Sequence, residues 1–192
     1  MDIIRGKLLK KMQSVLTGKL VMVLLFLANA VYLLMLFYSI PKLIQYSGGL
    51  ELFDMSPFGY SYQTAMALLL ALGENGRHFY QSTQLVLDLF YPLLFALAYS
   101  SLALWLAKGC KRNCKVMLYL AVVPIFVCLF DYLENISIWV MLSDFPAVSD
   151  GLVATSSLFT VVKSSLTMFY FSGLILALGK IAVDWGLLKL KG

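Results

Sequence analysis

Four stretches of this chain, residues 20–40, 79–107, 116–141 and 155–181, are almost wholly apolar. Each runs for at least ~18 residues, the length that marks a helix able to cross a membrane. The second and fourth exceed what a straight crossing needs, so they are expected to tilt or to protrude into the headgroups. Of the 192 residues only 13% are charged, against roughly 25% in soluble domains. A water-soluble fold is thereby excluded. The expected architecture is an all-α membrane protein, with four transmembrane helices in one bundle and an external interfacial or re-entrant helix. Residues 1–192 form a single transmembrane domain.

The basic residues set the orientation. Arg5, Lys7, Lys10, Lys11 and Lys19 precede the first span, Lys108, Lys111, Arg112 and Lys115 separate the second from the third, and Lys180, Lys189 and Lys191 follow the fourth. The opposite side carries only Lys42 and Arg77, against Glu51, Asp54, Glu74, Asp144 and Asp150. The positive-inside rule then places both termini in the cytoplasm of a multi-pass protein, with the cell inner membrane as its expected location. The net charge of +5 follows from this topology and from attraction to anionic membrane lipid. It does not call for a nucleic-acid partner.

Residues 1–19 place Ile4, Leu8, Met12 and Val15 on one helical face, the pattern of a cytoplasmic amphipathic helix lying on the inner leaflet. Ala28-Asn29-Ala30 resembles a signal-peptidase site, but the apolar run continues to Ile40, so an uncleaved anchor is expected. Residues 41–78 form an external loop. Within it, Ser61 to Leu72 are apolar but too few to cross, and Gly73 is placed to end a short helix, with Asn75-Gly76 as a turn. That helix suits a lid or a packed loop over the outer mouth of the bundle.

The polar residues inside the spans carry the functional question. Asp131, Glu134 and Asn135 share one side of the third span by their i, i+3, i+4 spacing. Asp88 and Gln84 lie on the second span, Lys163 on the fourth, and Asn29 and Tyr32 on the first. At 1.5 Å of rise per residue, Asn29, Asp88, Asp131, Glu134 and Lys163 fall roughly 10–17 Å below the outer surface. Four helices therefore deliver polar groups to one layer. A carboxylate in hydrocarbon costs ~2.5–3.5 kcal/mol on insertion scales and seeks a partner. Three acids against one lysine leave an imbalance that a proton, a cation or a ligand would relieve.

Three readings of this layer stay open. A small amphiphilic or cationic ligand, a proton or an ion could bind there from the outer side, charged by Asp88, Asp131, Glu134 and Lys163 and oriented by Asn29, Tyr32, Gln84 and Asn135. Asp131 and Glu134 could form the acid–base pair of an intramembrane lipid-modifying enzyme. The same residues could instead be interhelical glue in a structural subunit of a membrane complex, worth ~0.6 kcal/mol each. Four helices are few for a complete carrier, so a transport role calls for a homo-oligomer or a larger complex. No metal site or cofactor is implied: His78 is the single histidine, the C-x3-C pair Cys110 and Cys114 lacks a nearby histidine or a second cysteine pair, and Cys128 stands inside the third span.

The stretches FDMSPFGY, LGENGRHFY, LDLFYP and FDYLENI together resemble a pattern found in uncharacterised bacterial four-span integral membrane proteins. The resemblance covers most of residues 50–140 and implies the same architecture, with no established activity attached to it. A looser likeness, of architecture alone, is to the four-span sterol isomerase and sigma-2 receptor group. Proteins of that group place carboxylates inside a bundle to meet a cationic ligand, but their motifs have no residue-by-residue counterparts here.

Overall fold

A computed structural model of the chain describes residues 16–109 and 114–189. Most of the expected amphipathic helix at residues 1–19, and the loop around Cys110, lie outside the described residues. All the regular structure among the described residues is helical, and four of the helices are long and apolar enough to cross a membrane. They pack in chain order, first on second, second on third and third on fourth.

The first span starts where Thr17, in an extended conformation, accepts a hydrogen bond from the Leu20 amide at 3.2 Å. A side-chain oxygen in that position satisfies one of the orphan donors of a helix start. Helix α1 (Gly18–Leu34) runs through a π-helical turn at Met35–Ser39 into α2 (Ile40–Tyr46). The sequence places the end of this span before Pro41, whereas the helix continues to Tyr46. Pro41 lies in the first turn of α2, directly after the π turn. Its missing N–H therefore falls where the hydrogen-bond ladder is already offset.

After a loop with a 3₁₀ turn at Phe53–Met55, α3 (Tyr62–Phe79) begins at Ser61, whose side chain accepts from the Thr64 amide. It breaks at Gly73, where φ is +60° and ψ is −174°. Only glycine takes up that backbone conformation at no steric cost. The external helix expected over Ser61–Leu72 is thus present, ending at the expected glycine. Asn75-Gly76 is not a turn but part of the helix that enters the second span. A Cβ at Gly76 would sit 2.9 Å from the Tyr46 Cβ, so glycine here permits close approach of the first two spans.

A second π turn, Tyr80–Gln84, leads into α4 (Leu85–Gly109). The third span is broken where the sequence suggests continuity. Helix α5 (Cys114–Leu120) is separated from α6 (Val123–Asp144) by a turn just before Pro124, which cannot donate to the preceding ladder. Helix α7 (Asp150–Lys189) spans 40 residues, roughly 60 Å and about twice the hydrocarbon thickness.

Two apolar cores flank the polar layer. In the outer one, Ala65, Leu68, Leu69 and Leu72, the i, i+3, i+4, i+7 face of the external helix, pack with Leu43, Phe53, Ile138 and Met141. The inner core joins Ala103, Ala107, Met117, Leu120, Tyr170 and Leu174. Met22, Phe26, Phe37, Met168 and Leu176 project outward from the bundle. Such an apolar exterior is unfavourable in water and favourable in lipid.

Candidate functional site

Lys163 enters the layer from α7 and meets the third span twice. Its ammonium lies 3.2 Å from Asp131 Oδ1 and also pairs with Glu134 Oε2. The i, i+3 spacing on α6 is what lets two carboxyls converge on one cation. Glu134 is completely buried, and its Oε1 accepts a 2.6 Å hydrogen bond from Thr160, one turn before Lys163 on α7.

On the second span Pro92 organises the other half of the site. Lacking an N–H, it leaves the Asp88 carbonyl without a helical donor. Asn135 Nδ2 fills that place at 3.3 Å, and also faces Asp131 Oδ1 at 3.5 Å. Tyr132 donates to the neighbouring Leu89 carbonyl at 2.8 Å. The Asp88 carboxylate accepts from Gln84 Nε2 at 3.0 Å, and Gln84 Oε1 accepts from Ser39 at 2.6 Å. Ser39 closes the π turn of the first span. A polar chain from Ser39 through Gln84, Asp88, Asn135, Asp131, Lys163 and Glu134 to Thr160 thus links all four spans.

Asn29 and Tyr32 stand outside this network. Asn29 donates to its own Leu25 carbonyl at 2.7 Å, and Tyr32 stacks on Tyr91 with ring centroids 5.8 Å apart. Depth places Asn29 in the layer, with Tyr32 one turn away, but their direction around the helix points both to a neighbouring cavity. Arg77 also turns away from Asp88. It donates to the Leu69 carbonyl at 2.9 Å, in the last turn of the external helix, and lies over the Phe145 ring.

The loop supplies an acid that depth counting overlooks. Asp54, in the 3₁₀ turn, reaches inward so that its Oδ2 accepts from the Tyr80 hydroxyl at 3.0 Å, while its Oδ1 is buried without a partner. Tyr60 ties the same loop to α7, with its amide on Ser157 and its hydroxyl on Ser156. Burial pushes the Asp54 carboxyl above the ordinary carboxylate range, against the opposing pull of Lys163 and with added repulsion from Asp131. The docked loop therefore favours neutral Asp54. Its contribution to docking is fully present below the ordinary carboxyl value of about 4 and is lost as pH rises through the raised value. Protection of residues 50–60 in hydrogen exchange, corrected for intrinsic rates, is expected to fall with rising pH. Asp54→Asn, neutral at every pH and still able to accept from Tyr80, should flatten that profile. An unchanged profile in the variant would refute the assignment.

The surface of the bundle opens onto the network. A cavity of about 350 Å³ between the second, third and fourth spans is walled by Tyr91, Phe95, Val127 and the exposed Met168, and it ends on Asp131 and Lys163. A neighbouring space of about 340 Å³ shares Tyr91 and Phe95, and Asn29 and Tyr32 belong to its wall. A smaller crevice of about 200 Å³ lies between the second and third spans at Asp88 and Asn135. Among the described residues no group of three or more His, Cys, Asp or Glu side chains is gathered to hold a metal ion. His78 is exposed and absent from the network.

Fold and site together define a multi-pass helical membrane protein whose bundle, among the described residues, buries four carboxyl groups, Asp54, Asp88, Asp131 and Glu134, and one ammonium, that of Lys163, which pairs with the last two. Comparison with protein-family models, with curated proteins and with solved structures finds no match.

Proposed function

We propose that the protein binds a small amphiphilic or cationic ligand at this interior site, reached from the outer side of a bacterial inner membrane with both termini in the cytoplasm. The observation that carries the reading is the charge inventory beside an open cavity. Asp131 and Glu134 together take up the Lys163 ammonium, Asp88 has no described cation beside it, and the cavity of about 350 Å³ meets the network at Asp131 and Lys163. Chromatographically pure protein in mild detergent is expected to carry a discrete bound mass in native mass spectrometry. Folded, equally stable Glu134→Gln protein should lose it.

A structural role is the second reading, supported by the continuity of the hydrogen-bonded chain from Ser39 to Thr160. Such a chain fixes the order and register of the helices whether or not anything binds. Absence of any bound mass, together with loss of thermal stability in the variant, would select this role. An acid–base enzyme has less support, because both members of the expected pair, Asp131 and Glu134, are engaged by the same ammonium.

A further inference from the structure

We infer that the crevice between the second and third spans is the seat of the protonated amine of a lipid-like molecule, held by Asp88 and Asn135. This assignment rests on the ligand-binding reading above, names the class of ligand, and places its charged end at a second opening onto the same polar network.

Asp88 is 5% exposed, and its carboxylate has Gln84 as its only side-chain donor among the described residues. Lys163, the ammonium inside the bundle, is engaged by Asp131 and Glu134. No described cation lies within ion-pair distance of Asp88. At this depth a carboxylate needs a compensating charge, and none of the described residues supplies one here.

Asn135 gives an independent indication. It is 9% exposed, and its two acceptor neighbours, the Asp88 carbonyl and Asp131 Oδ1, fix which end of the amide is the NH₂. Its Oδ1 is then buried with no donor. Asp88 and Asn135 both line the crevice, and the spare hydrogen-bonding capacity of each is an acceptor. Their complement is a group with several donors and a positive charge, which describes a primary ammonium with its three N–H bonds.

The walls decide between an inorganic cation and an amphiphile. Beyond Asp88 and Asn135 the crevice is bounded by Leu89, Ile136, Tyr132 and Trp139, and Leu89, Ile136 and Trp139 project from the bundle. A hydrated ion gains nothing from such walls, whereas an alkyl stem is buried by them and the aromatic rings favour a neighbouring cation. The volume of about 200 Å³ suits a headgroup and the start of its stem, with the remaining chain in the bilayer.

The test uses full-length protein in detergent with Trp105→Phe and Trp185→Phe, which leave Trp139 as the only tryptophan reporter. Dodecylamine and dodecanol, of equal chain length, are titrated against Trp139 fluorescence. The amine is expected to bind about tenfold tighter, the scale of a hydrogen bond to a charged group. Asp88→Asn should abolish that preference, and Asp131→Asn should preserve it. Ile136→Phe, which fills the crevice, leaves Asp88 intact and adds no second tryptophan, should weaken amine binding by about the same factor. Equal affinity for amine and alcohol in the parent protein overturns the proposal, as does a preference that survives both crevice variants. If either result came with a co-purifying mass that Glu134→Gln removes, the crevice assignment would fail while the ligand-binding reading stood. A preference lost in Asp131→Asn alone would move the amine to the Lys163 cavity.

Discussion

Lys163→Met is expected to lower the unfolding free energy by about 3–5 kcal/mol, the scale seen when one partner of a buried ion pair is removed. The side chain is replaced by one of similar length, so little packing is lost. What remains is a pair of carboxyls, Asp131 and Glu134, on the same face of α6 with no cation between them. Interhelical hydrogen bonds in membranes average ~0.6 kcal/mol, so a loss of several kcal/mol separates an ion-pair hub from ordinary polar glue. Adding Glu134→Gln should recover part of the loss, because the amide still accepts from Thr160 and removes one of the two stranded acids. The double-mutant cycle is expected to show a coupling of about 1–3 kcal/mol. Reversible unfolding in mixed micelles measures both quantities. A Lys163→Met loss below about 1 kcal/mol, on the scale of an exposed pair, would mean that Lys163 is not the electrostatic centre of the site.

The sequence was most informative where geometry is one-dimensional. Helical rise is fixed, so counting from the span ends brings Asn29, Asp88, Asp131, Glu134 and Lys163 to one depth, and in the structure all of these but Asn29 join Gln84 and Asn135 in one connected network. Direction around the helix axis is a different matter. A span with lipid on one side and protein on the other is apolar all round, so its hydrophobic pattern does not mark the inward face. Asn29, at the depth of the network, and Tyr32, one turn from it, accordingly face a neighbouring cavity. Ser39, which supplies the first span's actual link to Gln84, sits in a π turn that shifts the register of every residue after it.

Asp54 was illegible for another reason. A residue in an external loop has no helical periodicity and is assigned to water by default. Here Leu52 and Phe53 anchor the turn in the outer core and carry the adjacent carboxyl inward to Tyr80. The breaks at Gly73 and before Pro124 illustrate the same distinction. Gly73 stands between an external helix and a span, where punctuation is expected. The interruption before Pro124 falls inside a continuous apolar run, where membrane helices often continue past proline and the sequence does not decide the outcome.

Phe53→Ala is expected to release the loop that closes the outer end of the bundle. Phe53 is almost completely buried among Leu43, Leu68, Leu69, Leu72 and Tyr80, and its ring lies 5.0 Å from that of Tyr60. Truncating a buried phenylalanine costs about 3–5 kcal/mol through lost transfer free energy and the cavity left behind. Phe58 provides the control in the same loop. It is 90% exposed, so Phe58→Ala should fall within about 0.5 kcal/mol of the parent. Limited proteolysis should therefore cut the Phe53→Ala protein within residues 50–60 far faster than the parent, and leave Phe58→Ala near the parental rate. Because Asp54 follows Phe53 directly, the same substitution should also remove the carboxyl from Tyr80 and erase the pH dependence of loop protection. Similar cleavage of the two alanine variants would mean that the loop is not held by the outer core. Faster cleavage with an undiminished pH dependence would instead separate the anchoring of the loop from the titration of Asp54.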